Sequence, residues 1–311
     1  MKKILIIGAK GMLGQELVKI FKKDSDYKVI GWDKEDIDIA KEKEVSKKIG
    51  VIKPAVIINA AAYNAVDKCE EKKEYELAKK INGLAPGYLA KIAKKLKATL
   101  VHYSTDYVFN GEPEIAEPAG CSHSCATCAL HGEFAPQIGF KEDDKPEPIN
   151  KYGATKLLGE EEVRKNMKNY YLIRTSKLFG KQAVSEESKR SFFDVMLEPG
   201  RTNKKGVKAV DEETSCFTYA PDLARKTKEI VDSKKPFGIY HVTNGGPCTW
   251  YEAAVELYKQ AGIKTKVTSV DSSAFPRPAK RPFYSVLLNT KLNPLRDYKE
   301  ALKEYLKEIK C

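Results

Sequence analysis

The chain has 311 residues, 42% hydrophobic and 32% charged, with a formal net charge of +12. That length allows a large core in one or two domains, and the composition is that of an ordinary globular protein. No apolar run approaches a membrane span, the lysines alternate with glutamates rather than forming an aromatic-interleaved basic run, and seven cysteines in so long a chain make no disulfide framework. Neither a membrane nor a nucleic acid is the expected partner; a nucleotide or another small anion is.

The chain opens with two lysines and an apolar run too short for a signal peptide, so a cytoplasmic protein is expected. Lys2 to Ile7 reads as a parallel strand buried on both faces. Gly8-Ala-Lys-Gly11-Met-Leu-Gly14 follows, then an amphipathic helix to about Lys22. Strand, glycine turn and helix form the setting of a dinucleotide fingerprint, in which backbone approaches a pyrophosphate at a helix N-terminus. A second strand, Tyr27 to Trp32, ends at Asp33, where an acid can hydrogen-bond the adenosine ribose of NAD. Lys34 beside it suits the 2′-phosphate of NADP, and the choice between NAD and NADP stays open.

Ala55 to Asn59 is a third buried strand, running into the small residues Ala60, Ala61 and Ala62. A long helix is expected from about Glu74 to Lys95, then a fourth strand, Thr99 to Tyr103. That strand delivers Ser104, Thr105 and Tyr107 to the sheet edge where open α/β sheets bind ligands. A hydroxyl there can hydrogen-bond a substrate carbonyl oxygen. Tyr152-Gly-Ala-Thr-Lys156 begins a helix, and its tyrosine and lysine share one face. An ammonium beside a phenol lowers the phenol pKa, which gives a proton donor for near-neutral pH. By itself the pair reads rather as a solvated helix face of a lysine-rich chain, and its neighbours shift that reading. A fifth strand spans Tyr170 to Thr175; beyond Lys181 the pattern loosens into helices at Phe192 to Leu197, Pro221 to Val231, Thr249 to Ala261 and about Asp297 to Ile309, with a strand from Gly238.

Alternating strands and helices imply an α/β fold, a Rossmann-type doubly wound parallel sheet with a smaller C-terminal substrate-binding lobe. The expected division assigns 1–180 and about 215–242 to the NAD(P)-binding part, and about 181–214 and 243–311 to the lobe. A Cys-rich insertion at about 114–140 interrupts the first part. It holds Cys121, Cys125 and Cys128 with two histidines nearby, a metal-ligand spacing suited to zinc or an iron–sulfur cluster. His123, His131, a distant cysteine or an exogenous molecule would complete the set. The other cysteines are expected in apolar packing.

These motifs resemble the extended short-chain dehydrogenases/reductases and, within them, the dTDP-4-dehydrorhamnose reductase family. The resemblance runs nearly end to end. It includes Asn59-Ala-Ala-Ala-Tyr-Asn-Ala-Val-Asp-Lys-Cys-Glu70, Ser104-Thr-Asp-Tyr-Val-Phe-Asn-Gly111, Arg174-Thr-Ser and Thr218-Tyr-Ala-Pro-Asp-Leu-Ala224. It continues through Gly238-Ile-Tyr-His-Val-Thr-Asn-Gly245 and Phe275-Pro-Arg-Pro-Ala-Lys-Arg-Pro282. The resemblance implies NAD(P)H-dependent reduction of the C4 keto group of a 4-keto-6-deoxy nucleotide sugar. It implies that Tyr152 protonates the carbonyl oxygen, Lys156 lowers the tyrosine pKa and holds the nicotinamide ribose, and Thr105 bonds the oxygen. It implies cofactor contacts at Gly8, Gly11, Met12, Leu13, Gly14, Asp33, Lys34, Asp38, Ile39 and Ala60 to Ala62, with Tyr152 and Lys156. The nucleotide-sugar substrate is implied to lie against Val66, Ser104, Thr105, Tyr107, Arg277 and Arg281, the two arginines suiting a pyrophosphate.

Three departures stand out. Lys177 follows Arg-Thr-Ser where the family usually carries an aromatic over the substrate, Asn64 replaces a threonine, and the insertion replaces a short loop. They keep open a reductase or epimerase of another nucleotide sugar, and a non-catalytic NADP-binding regulatory subunit. The assembly also stays open, a homodimer being one form.

Overall fold

The computed structural model describes residues 1–113, 138–184, 189–203 and 205–309. Strand β1 (Lys2–Ile7) leads through a glycine turn into α1 (Met12–Lys22), β2 (Tyr27–Trp32), α2 (Glu42–Ile52) and β3 (Val56–Asn59). Then come α3 (Lys72–Ala78), a π-helical stretch (Lys79–Leu84), α4 (Ala85–Leu96) and β4 (Thr99–Thr105). Helix α5 (Lys151–Asn166), β5 (Tyr170–Thr175), β6 (Leu178–Phe179), α6 (Phe192–Thr202), β7 (Val207–Val210) and β8 (Thr218–Tyr219) follow. The chain ends with α7 (Ala220–Asp232), β9 (Gly238–His241), α8 (Trp250–Ala261), β10 (Val267–Val270) and α9 (Tyr298–Glu308).

The main sheet has six parallel strands in the order β2-β1-β3-β4-β5-β9. The order reverses between β1 and β3, so the ends of those strands open a crevice at a topological switch point. Alternate residues of β1 explain why both faces are covered. Ile4 and Ile6 enter a core with Leu17 and Phe21 of α1 and Leu223 and Ile230 of α7. Leu5 and Ile7 enter another with Ile49 of α2, Leu89 of α4 and Val163 of α5. A third core lies in the C-terminal lobe, where Phe193, Leu257, Leu302 and Tyr305 from α6, α8 and α9 meet. Two short parallel pairs, β7–β10 and β6–β8, accompany it.

The single long helix expected from Glu74 to Lys95 is three consecutive helical stretches. Pro86 has no N–H to return to the Asn82 carbonyl, and the ladder widens into a π turn directly before it. Strand β4 runs on to Thr105, because Ser104 and Thr105 pair with Arg174 and Thr175 of β5. Among the described residues, no helix is long and apolar enough to cross a membrane.

Candidate active site

The crevice begins at the glycine turn. Gly8 has φ +81°, and a Cβ there would lie 2.7 Å from the Ala61 nitrogen. A Cβ on Gly14 would lie 1.9 Å from the Gly8 carbonyl oxygen, so only glycine closes this turn. Gly11 caps α1 without a side-chain hydrogen bond, which leaves first-turn N–H groups for an anion. Across the switch point, the Ala60 N–H donates to the Ile7 carbonyl and the Ala61 N–H to Asn59 Oδ1. Asp33 sits beside the turn, its two carboxylate oxygens accepting from the Lys10 and Lys34 N–H groups at 2.9 Å each. Met12 and Leu13 open α1, while Ile39 is buried in the sheet core next to Asp38. The fit to a dinucleotide is therefore one of shape and of unspent backbone donors.

Helix α5 brings the next residues to the same edge. Asn150 caps it by accepting the Gly153 N–H at 2.8 Å. Tyr152 and Lys156 are both buried on this helix. The Lys156 ammonium donates to the Tyr103 carbonyl at 2.6 Å. Burial pushes Lys156 down to about 8, against the opposing charge of Glu160. Burial also pushes the Tyr152 phenol well above its ordinary range; the Asp106 carboxylate adds to this, and a Thr105 hydrogen bond opposes it. The expected lowering of the tyrosine by Lys156 is thus not the balance in this structure: desolvation dominates, and the ammonium is directed at a backbone carbonyl. The Tyr152 hydroxyl donates to Asn64 Oδ1 at 3.5 Å, so the replaced threonine position keeps an acceptor.

Thr105 ends β4. Its hydroxyl donates to Asp106 Oδ1 at 2.9 Å and accepts the Tyr107 N–H at 3.2 Å. Its proton is therefore held by Asp106, and donation to a substrate oxygen requires the hydroxyl to turn. Asp106 is buried, and also accepts from Ser176 at 2.8 Å and Ser285 at 2.7 Å. Burial raises its pKa, opposed by the Ser285, Ser176 and Thr105 hydroxyls. Tyr107 meets Tyr152 edge to face with ring centroids 6.0 Å apart, and Val66 packs in the same cluster. Ser104 contributes a buried hydroxyl with no partner among the described residues. The two arginines are engaged: Arg281 Nη2 donates to both Asp67 carboxylate oxygens, at 2.8 and 2.9 Å, and Arg277 pairs with Glu213. A pyrophosphate would share or displace those carboxylates.

One family model, the RmlD substrate binding domain, matches residues 1–311. The chain belongs to the RmlD substrate-binding domain family. The spore coat polysaccharide biosynthesis protein SpsK of Bacillus subtilis is 34% identical over 312 residues, covering 99% of this chain and 98% of the relative. The dTDP-4-dehydrorhamnose reductase of Streptomyces griseus is 32% identical over 312 residues, covering 96% and 91%. Among solved structures, a dTDP-4-dehydrorhamnose reductase from Clostridium acetobutylicum matches with TM-score 0.85 and 37% identity, covering 99% of this chain and 100% of that one. One from Bacillus anthracis, in complex with NADP, matches with TM-score 0.83 and 29% identity over 99% of each chain.

Within this RmlD-family chain, several residues at the site carry no sequence signature of their own. Asp106 lies inside a quoted motif, but its three hydroxyl donors come from segments far apart in sequence. Asn82, in the π turn, donates to the Tyr63 carbonyl at 2.9 Å and accepts the Tyr63 N–H at 2.8 Å, which pins the loop carrying Asn64. An asparagine within a helical run looks like surface; only the fold places it under that loop. Cys69, Cys216 and Cys248 are buried, as apolar packing requires. Cys121, Cys125 and Cys128 lie outside the described residues. Among the described residues, no group of three or more metal-ligating side chains comes together.

Proposed function

We propose that this chain is an NAD(P)H-dependent reductase that converts the C4 keto group of dTDP-4-dehydrorhamnose (dTDP-4-dehydro-6-deoxy-L-mannose) to the alcohol of dTDP-L-rhamnose. The observation that carries this reading is the grouping of Thr105, Tyr152 and Lys156 at the sheet edge beyond a glycine turn that admits only glycine. The names of the relatives supply the sugar.

A reduced nicotinamide coenzyme, its diphosphate held by the glycine turn, would supply the hydride. Gly8, Gly11 and Gly14 admit the diphosphate to the α1 N-terminus, and Asp33 offers its remaining lone pairs to the adenosine ribose. Lys156, an ammonium at neutral pH, has two N–H donors beyond the one given to Tyr103 and can hold a ribose hydroxyl. Tyr152 is a protonated phenol at neutral pH and donates to the C4 oxygen as it gains charge. Thr105 shares that oxygen once its hydroxyl turns from Asp106. Tyr107 and Val66 exclude water around the phenol. A sugar other than dehydrorhamnose is a second reading, favoured by the lysine at 177.

The test is oxidation of NADPH and of NADH, followed by absorbance, with dTDP-4-dehydrorhamnose. Rapid turnover that falls by about 100-fold or more in Tyr152→Phe, with coenzyme affinity retained, is expected. Unchanged turnover in that variant removes Tyr152 as the acid. No turnover in the folded, coenzyme-binding wild type removes this sugar.

A further inference from the structure

Lys177 has a position that neither the sheet nor the lobe requires. It stands two residues beyond the end of β5, where Thr175 is in register with Thr105, and next to Ser176, which bonds Asp106. It is therefore in the same layer as the site. Its backbone has φ +36°, a left-handed conformation that a residue with a Cβ adopts at a cost.

Its ammonium lies 3.6 Å from the centroid of the Trp250 ring and 5.2 Å from that of Phe217. Among the described residues its ammonium makes one hydrogen bond, a long one of 3.4 Å to the Glu213 carbonyl. Among the described residues it forms no ion pair, although two carboxylates are near. Both are occupied: Asp106 by three hydroxyls, and Glu213 by Arg277 and the Trp250 Nε1–H. A largely buried group with three N–H donors thus rests on an aromatic face with its natural partners taken. Burial pushes its pKa down to about 8, against the pull of Asp106, so the charge is retained at neutral pH without a counter-ion in contact.

We propose that Lys177 is a specificity-determining residue whose ammonium donates to an oxygen of the sugar in the bound nucleoside-diphosphate sugar. The ligand supplies the acceptor that the protein withholds, and Trp250 holds the stem of the lysine at the required height. The site thereby selects sugars with a hydroxyl or ring oxygen toward Lys177, where an apolar side chain would select by contact alone. This rests on the nucleotide-sugar reading above.

The test separates sugar from nucleotide. Calorimetry on the coenzyme-loaded protein compares dTDP-L-rhamnose and dTDP-glucose with dTDP alone, in wild type, Lys177→Met and Lys177→Arg. In wild type at least one of the two sugars binds more tightly than dTDP. Lys177→Met loses that preference by about 10- to 100-fold and keeps its affinity for dTDP and NADPH, while Lys177→Arg retains part of it. The proposal is overturned if wild type does not distinguish either sugar from dTDP, or if Lys177→Met keeps the preference. It is equally overturned if Lys177→Met weakens sugar, dTDP and NADPH alike, which is the mark of a merely structural lysine. Binding is read without turnover, so absence of hydride transfer in wild type counts against the reductase reading alone.

Discussion

Removing one side of the Arg174–Glu160 pair should destabilise the protein more than any other surface-preserving change at the site. Arg174 is the penultimate residue of β5, and Glu160 lies on α5, one turn beyond Lys156. Both are buried, at 1% and 0% exposure. The guanidinium donates to the two carboxylate oxygens at 2.9 and 2.7 Å, to the Glu142 carbonyl at 3.2 Å, and sits 5.0 Å over the Phe109 ring. Arg174→Met leaves the carboxylate of Glu160 in the interior without its hydrogen-bonded cation. Breaking a buried pair from one side costs about 3–5 kcal/mol, a large part of the ~5–15 kcal/mol stability of a typical chain. Arg174→Met/Glu160→Leu removes both charges and their desolvation together, so most of that loss should return. Urea unfolding of wild type, both single variants and the double closes the cycle. A single-variant loss below about 1 kcal/mol, or a double as unstable as the sum of the singles, refutes the claim that this pair locks α5 to the sheet.

Gly14→Ala brings a Cβ to 1.9 Å from the Gly8 carbonyl, so the turn must open; coenzyme affinity by fluorescence titration should fall more than about tenfold, and an unchanged value refutes the cradle. Lys177 titrates near 8 in the folded chain against an ordinary 10.5. A base whose pKa falls on folding opposes folding in full below the folded value, and the opposition fades as pH climbs from about 8 to 10.5. Lys177→Met should therefore be more stable than wild type by up to about 3 kcal/mol near neutral pH, with the gap closing toward pH ~10.5; a pH-independent gap refutes it. The spacing of Cys121, Cys125 and Cys128, which lie outside the described residues, carries the expectation of near-stoichiometric zinc or iron in protein purified without oxygen, and elemental analysis finding neither refutes it.

The parts of the fold legible in sequence were those with local cause. Lys2–Ile7 is apolar at every position from Ile4 on because it is covered on both faces, and the turn after it needs glycine. Thr249 caps α8 through a reciprocal box with Glu252, again a local rule. What sequence could not supply were relations across distance. Strands β7 and β10 are four residues each and pair across an intervening stretch of the chain, so neither has a period to read. Arg277 and Arg281 read as anion binders, and their carboxylate partners appear only once the chain is folded. The Tyr152 phenol makes the same point: spacing gives a lysine on the same helix face, whereas burial, which raises the phenol pKa, is visible only in the fold.

Strand β9 is an edge strand, yet it reaches the sheet only after the chain has left β5 and built much of the lobe. The stretch between them is, in polymer terms, one loop closed by the β5–β9 ladder. Closure entropy grows only logarithmically, about 0.6 kcal/mol for each doubling of length. Residues can therefore be gained or lost there at little thermodynamic expense, while the six-stranded frame and its glycine turn stay fixed. Such a layout lets a lineage exchange the lobe segment and leave the glycine turn untouched.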